Sequence, residues 1–117
     1  MASSRSHRRG WLAAALALAS ALAASARAEE PLTNPVAGDP AAIEAGRKTY
    51  RQRCYICHLS HGGRGPNLFA SKLTDEKFLM TVINGRKGAT MPAFGLQMTP
   101  DEVWEVHAYV RSTDHYE

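Results

Sequence analysis

Apolar side chains recur at helical spacing in three stretches of the chain, and a residue that can cap a helix precedes each stretch. The first predicted helix covers residues 40–53, with Asp39 as its cap and Pro40 in its first turn. The second covers about 75–84 and the third about 100–112, and a threonine stands directly before each of them. No segment alternates apolar and polar residues as a strand would, so the sequence predicts an all-α fold with three main helices.

The first 28 residues have the order of segments that is typical of an export signal. Three arginines and no acid precede an uncharged run over residues 11–24, and Ala-Arg-Ala then ends at residue 28. The uncharged run is short for a membrane span, so we expect cleavage rather than retention as a membrane anchor. The predicted domains are a cleaved secretion signal peptide at 1–28, a flexible leader at 29–39 and one folded domain at 40–117.

Removal of the signal changes the charge of the chain. The full sequence has a formal net charge of +3, but residues 29–117 hold ten basic and eleven acidic side chains. The mature chain therefore lacks the excess of positive charge that nucleic-acid binding requires. Within it, residues 41–98 carry a net charge of +6 between two acidic ends. This distribution predicts docking by one basic face onto an acidic surface of a partner.

Residues 54–58 read Cys-Tyr-Ile-Cys-His, which is the pattern of covalent haem attachment. The thiols of Cys54 and Cys57 lie one helical turn apart, so they can add to neighbouring vinyl groups of one porphyrin. His58 then offers its imidazole to the iron from the same side. One such pair of cysteines predicts one haem c.

Two other uses of these residues stay open at this point. A thioredoxin-like disulfide site normally lies between a strand and a helix, and the sequence predicts no strand. A zinc site needs four ligands, and the crowded set Cys54, Cys57, His58 and His61 would have to supply them. A purely structural disulfide would close too small a loop to stabilise the fold.

With these motifs in place, the chain resembles the class I monohaem c-type cytochromes of bacteria, and in particular the compact domains found in cbb3-type oxidase subunits. The resemblance covers about residues 43–112. It rests on Gly46-x-x-x-Tyr50, the attachment motif, Gly65-Pro66-Asn67-Leu68, Asn84-Gly85, Met91-Pro92-Ala93-Phe94 and the closing aromatic helix. It implies the cytochrome c fold, in which loops wrap round one haem, and an electron carrier rather than an enzyme.

The resemblance also implies roles for single residues. His58 and Met91 become the two axial ligands of the iron, and the carbonyl of Pro66 accepts a hydrogen bond from the ring of His58. Gly46 lets the first helix cross the last one closely, with Tyr50 packed nearby. The expected wall of the haem pocket consists of Leu68, Phe69, Phe78, Val82, Ile83, Phe94 and Trp104.

The choice of Met91 as the sulfur ligand also has support from its surroundings in the sequence. Met91 lies in an irregular loop directly before Pro92, which holds the chain extended. Met98 precedes a helix cap and is the reserve ligand, whereas Met80 lies within a helix and is expected in the core. His107 falls on or beside the buried stripe of the last helix, and we expect it to be satisfied there rather than bound to iron.

The expected function is that of a periplasmic one-electron carrier between a dehydrogenase or quinol-oxidising complex and a terminal acceptor. An open distal site would instead make the chain a haem enzyme or a gas sensor. A third possibility is a carrier dedicated to one quinoprotein alcohol dehydrogenase. Haem is added to an unfolded chain, which favours general secretion over the twin-arginine route. We expect a monomer with redox partners and no stable membrane association after signal cleavage.

Overall fold

The structure, a computed structural model, describes residues 29–59 and 63–112. It contains three α-helices, which are α1 (Pro40–Thr49), α2 (Asp75–Asn84) and α3 (Pro100–Arg111). A π-helical turn, Tyr50–Cys54, continues α1, and a short 3-10 helix spans Leu68–Ala70. Within the described ranges there is no strand, and the predicted all-α class is confirmed. The predicted signal peptide and the last five residues lie outside these ranges.

The helices begin where the local sequence predicts, because each N-terminus has a side-chain cap. The Asp39 carboxylate accepts a hydrogen bond from the backbone N–H of Ala41, and the Thr74 hydroxyl accepts one from Lys77. At the start of α3, Thr99 and Glu102 form a reciprocal capping box. These partners lie two or three residues apart, so the caps follow from the sequence alone.

Helix α3 is central to the fold because it packs against both α1 and α2. Its residues 103, 104 and 106–110 are all buried. A methyl group added at Gly46 would overlap the backbone carbonyl of Glu105, so α1 and α3 cross at this glycine. The close crossing that the resemblance implied for Gly46 is present in the structure.

The core lies between these helices and extends under the loops. It is formed by Tyr50, Phe78, Leu79, Val82, Met98, Val103, Trp104, Val106, Tyr109 and Val110. Met80 is not part of it, and 45% of its surface is exposed. The prediction for Met80 was wrong because α2 buries only the face that carries Phe78, Leu79 and Val82.

The segment expected to be a flexible leader makes specific contacts in its second half. Asn34 is buried, and the turn that follows it leads into the cap of α1. The side chain of Asn34 accepts a hydrogen bond from the backbone N–H of Val36 and donates one to the carbonyl of Trp104. Asn34 therefore contacts α3, and Val36 packs against the core. Among the described residues, no helix has the length and apolar character needed to cross a membrane.

Candidate haem-binding site

The π-helical turn places the attachment motif at the end of α1. The backbone N–H of Tyr55 donates to the carbonyl of Tyr50, five residues earlier, over 2.9 Å. The N–H groups of Cys57 and His58 then both donate to the carbonyl of Cys54, over 3.1 and 2.9 Å. This turn keeps the two cysteines and the histidine close together. Both cysteines are free thiols and are half-buried.

His58 is buried, and hydrogen bonds fix both its ring and its backbone. Because a carbonyl oxygen can only accept, the 2.7 Å contact between the ring Nδ1 and the Pro66 carbonyl means that Nδ1 carries the proton. The lone pair is then on Nε2, as metal ligation requires. The Tyr50 hydroxyl donates to the carbonyl of His58 over 2.5 Å.

The loop that supplies the Pro66 carbonyl approaches the imidazole without an intervening side chain. A Cβ atom at Gly65 would lie 2.5 Å from Cε1 and 2.7 Å from Nδ1 of His58. The backbone N–H of Gly65 also donates to the Cys57 carbonyl over 2.8 Å. Gly65 therefore lets the loop and the attachment motif close on each other around the ring.

Most of the predicted haem contacts pack against the core of the protein. Cys54, Leu68, Met91 and Phe94 are half-buried and pack against the core cluster that contains Trp104. Phe69 and Ile83 line the same cluster and are also half-buried. Apolar side chains that are only partly covered fit a site for a flat, apolar ring, because the ring would bury their remaining surface. The donor set of two free thiols and one imidazole with a free Nε2 fits the same group.

The alternatives of a disulfide redox centre and a zinc site find no support here. Burial raises the pKa of the Cys54 thiol to about 11, whereas redox-active cysteines have a lowered pKa. In the part of the chain that the structure describes, no three His, Cys, Asp or Glu side chains are grouped to hold a metal ion. His61, the fourth residue of the crowded zinc set, lies outside that part.

Backbone hydrogen bonds fold the loop that carries Met91 onto the end of α2. The N–H of Phe94 donates to the Val82 carbonyl over 2.9 Å, and the N–H of Gly95 donates to the Ile83 carbonyl over 3.0 Å. These bonds satisfy two of the last carbonyls of the helix, which have no partner within it. Met98, the reserve ligand, is buried in the core instead.

The fold and the site together define a class I monohaem c-type cytochrome. Residues 41–110 match the family described as cytochrome c oxidase, cbb3-type, subunit III, and the chain belongs to this family. Its cofactor is accordingly one haem c, bound covalently through Cys54 and Cys57.

Three comparisons illustrate the range of similar proteins. The chain is 36% identical to the quinohemoprotein alcohol dehydrogenase ADH-IIG of Pseudomonas putida, over 80% of its own length but only 15% of the dehydrogenase. It is 33% identical to cytochrome c550 of Pseudomonas aeruginosa, over 74% of its length and 66% of the relative. The fold resembles the crystal structure of cytochrome cL from Methylophaga aminisulfidivorans, with a TM-score of 0.60, 24% identity and coverage of 74% and 68% of the two chains.

Sequence reasoning missed two features of the region around the site. One is the hydrogen bond from the Tyr50 hydroxyl to the His58 carbonyl, although the spacing of eight residues would allow it. The other is Asn34, whose partners Trp104 and His107 lie about 70 residues further along the chain. No local pattern could have indicated so distant a contact.

Proposed function

We propose that this chain is a periplasmic one-electron carrier whose haem iron lies between His58 and Met91. The hydrogen bond from His58 Nδ1 to the Pro66 carbonyl carries the proposal, because it leaves Nε2 free to bind the metal. Met91 is half-buried and packs against the core, so its sulfur can still be covered by a bound haem. Met80 is exposed on α2 and Met98 is already buried within the core, which makes both less suitable as the ligand.

The bound haem supplies a one-electron couple between Fe(III) and Fe(II), and a thioether ligand favours the ferrous form. The residues of the chain hold this couple in place and keep water away from it. Pro66 orients the imidazole and raises its basicity through the hydrogen bond. Leu68, Phe94 and Trp104 supply apolar surface, which disfavours the extra charge of the ferric state.

We propose that the carrier docks on an acidic redox partner through the surface around the attachment motif and the Met91 loop. Ile56 is 79% exposed and Leu96 is fully exposed, so both offer apolar contact area. Arg53 Nη1 lies 3.3 Å from Gln97 Oε1, which links the two segments. Exposed basic side chains lie in these two segments and in the loop that contains Pro66; they are Arg51, Arg53, Arg64, Arg86 and Lys87. Small, transient interfaces of this kind suit electron transfer.

A second candidate is a carrier dedicated to one quinoprotein alcohol dehydrogenase. The identity of 36% with ADH-IIG favours it, although that match covers 15% of the dehydrogenase. The two candidates differ in the rate at which an alcohol dehydrogenase with bound quinone cofactor reduces the ferric protein in the presence of alcohol. Fast, salt-sensitive reduction supports the dedicated acceptor, whereas fast reduction only by a quinol-oxidising complex supports the general carrier.

The test of the axial ligands is an absorption spectrum of the ferric protein, expressed with haem-attachment machinery. We expect a weak band at the red edge that Met91→Ala abolishes and that Met80→Ala and Met98→Ala preserve. Ready binding of carbon monoxide to the native ferrous protein would contradict the proposal, because it would indicate an open distal site. The haem enzyme or gas sensor would then be the better interpretation.

Export and oligomeric state have their own measurements. Cleavage after Ala28 would leave Glu29 as the first residue, which mass analysis of the exported protein would detect. We propose that the mature chain is a monomer, which sedimentation would test. A retained signal or a stable dimer would contradict these parts of the proposal without affecting the haem ligands.

A further inference from the structure

The loop between α2 and Met91 contains two glycines in the left-handed region of backbone space. Gly85 has a φ of 68° and Gly88 has a φ of 73°. The ψ of Gly85 is −167°, a combination with positive φ that is essentially restricted to glycine. Both residues therefore have a conformational reason to be glycine, but their surroundings differ.

A side chain added at Gly85 would meet the backbone of the segment that carries Met91, whereas one added at Gly88 would meet nothing. A Cβ atom at Gly85 would lie 2.8 Å from the Met91 carbonyl oxygen, the Pro92 carbonyl carbon and the Ala93 nitrogen. At Gly88, no atom lies within 4 Å of an added Cβ. The three atoms near Gly85 belong to the main chain, so no change of rotamer could make room for a side chain.

The segment beyond Met91 is held against α2 and cannot simply move away. The N–H groups of Phe94 and Gly95 donate to the carbonyls of Val82 and Ile83, over 2.9 and 3.0 Å. The N–H of Arg86 donates to the Met91 carbonyl over 3.3 Å. A side chain at position 85 would push on Met91, Pro92 and Ala93 while these bonds hold the segment on either side. The displacement must therefore be taken up within residues 91–93, the segment that presents the Met91 side chain.

We propose that Gly85 is a positioning residue for the axial methionine. Its bare backbone allows the main chain of Met91 to lie directly on the end of α2, and this contact sets where the sulfur is presented. The inference rests on the proposed ligation of iron by Met91. Any side chain at position 85 weakens or breaks the bond between sulfur and iron, even though residue 85 touches neither.

The test compares Gly85→Ala with Gly88→Ala in the haem-loaded protein. Both variants place alanine at a positive φ, and only Gly85→Ala adds the steric push, so Gly88→Ala controls for the positive φ alone. We expect Gly85→Ala to lose most of the red-edge ferric band and to increase the affinity of the ferrous protein for carbon monoxide by about tenfold or more. Gly88→Ala should keep the band, and its ferrous form should bind carbon monoxide with an affinity within about twofold of the wild type. The reduction potential should fall in Gly85→Ala only, since a thioether ligand raises it.

The outcomes separate this inference from the proposed ligation. If the wild type shows the band and Gly85→Ala behaves like Gly88→Ala, the inference is wrong and the ligation stands. If the wild-type band is absent and Met91→Ala changes nothing, the proposed ligation itself fails, and the role of Gly85 fails with it.

If Gly85→Ala does not accumulate as a haem protein, Gly95→Ala decides the question. A Cβ atom there would lie 3.0 Å from the carbonyl oxygen and Cγ2 of Ile83, so it pushes the same segment less severely. Carbon monoxide affinity above that of Gly88→Ala supports the inference, and equal affinity overturns it.

Discussion

The side-chain amide of Asn34 donates a 2.8 Å hydrogen bond to Nδ1 of His107, which lies 73 residues later in the chain. The orientation of this amide is fixed, since its oxygen accepts from Val36 and its nitrogen also donates to the Trp104 carbonyl. Nδ1 of His107 is therefore an acceptor, and the proton of the neutral ring is on Nε2. Nε2 is buried and lies 3.3 Å from Oδ1 of Asp75 without a well-directed hydrogen bond. The leader is thus attached to the core through a neutral histidine.

This arrangement predicts that the protein loses stability as the pH falls below the usual pKa of histidine. Burial lowers the pKa of His107 below 6.5, with Arg111 acting in the same direction and Asp75 opposing it. Well above pH 6.5 the ring is neutral in the folded and the unfolded chain, so it contributes no pH dependence there. Below that pH the unfolded chain binds the proton first, and the folded state loses up to about 1.4 kcal/mol per pH unit.

The measurement is the free energy of unfolding of the haem-loaded protein between about pH 7.5 and 5.5, a range that brackets the ordinary histidine pKa. His107→Gln removes the titrating ring, and its side-chain oxygen can accept from Asn34. The difference between the wild type and His107→Gln should be constant above the ordinary pKa and should change below it. Parallel curves for the two proteins across the whole range would show that His107 does not contribute.

Loss of the Tyr50 hydroxyl should destabilise the fold, whereas loss of the Tyr55 hydroxyl should not. The Tyr50 hydroxyl donates to the His58 carbonyl in a buried position, and burial raises the pKa of Tyr50 to about 12, so it is a neutral donor. Tyr50→Phe leaves that carbonyl without this partner, which should cost about 1–2 kcal/mol in the free energy of unfolding. Tyr55 is exposed, and Tyr55→Phe is the matched control. Equal effects of the two substitutions, measured by denaturant unfolding, would contradict this role.

Replacement of Gly46 by alanine should destabilise the fold, although the same substitution within a helix normally stabilises it. Alanine for glycine within a helix usually stabilises by roughly 0.5–1 kcal/mol. Here the added methyl group meets the backbone carbonyl of Glu105, so α1 and α3 must separate. We expect a loss of about 3 kcal/mol or more, since overpacking at a helix crossing displaces main chain. A rise in melting temperature for Gly46→Ala would show that the two helices do not meet at this residue.

The ends of the helices were accessible from the sequence because their signals are local. The predicted second helix has the same bounds as α2, with Thr74 capping one end and Gly85 following the other. The predicted third helix agrees with α3 to within one residue. The first differs, because the chain continues past Thr49 as a π-helical turn. The sequence of Tyr50–Cys54 is compatible with both an α-helix and a π-helix. Which of the two forms depends on the contacts that the attachment motif makes with the rest of the fold.

The exposure of individual side chains was harder to predict from the sequence, because it depends on contacts between separate elements of the fold. Met80 and Leu79 are neighbours of similar character in the sequence, yet only Leu79 is buried. Which of them faces inward depends on the side from which α3 packs on α2. The polar partners of His107 likewise come from the leader and from the first turn of α2, far away in the chain.

By itself the sequence determined the chemistry of this protein, because covalent haem attachment needs two thiols and an imidazole within five consecutive residues. It also determined the three helices, whose caps and apolar stripes are contained in short windows. The tertiary structure decided what lies against three of the glycines, namely the Glu105 backbone at Gly46, the His58 ring at Gly65 and the Met91 backbone at Gly85. Such approaches depend on how helices and loops fold against one another, and a glycine in the sequence does not show what lies against it.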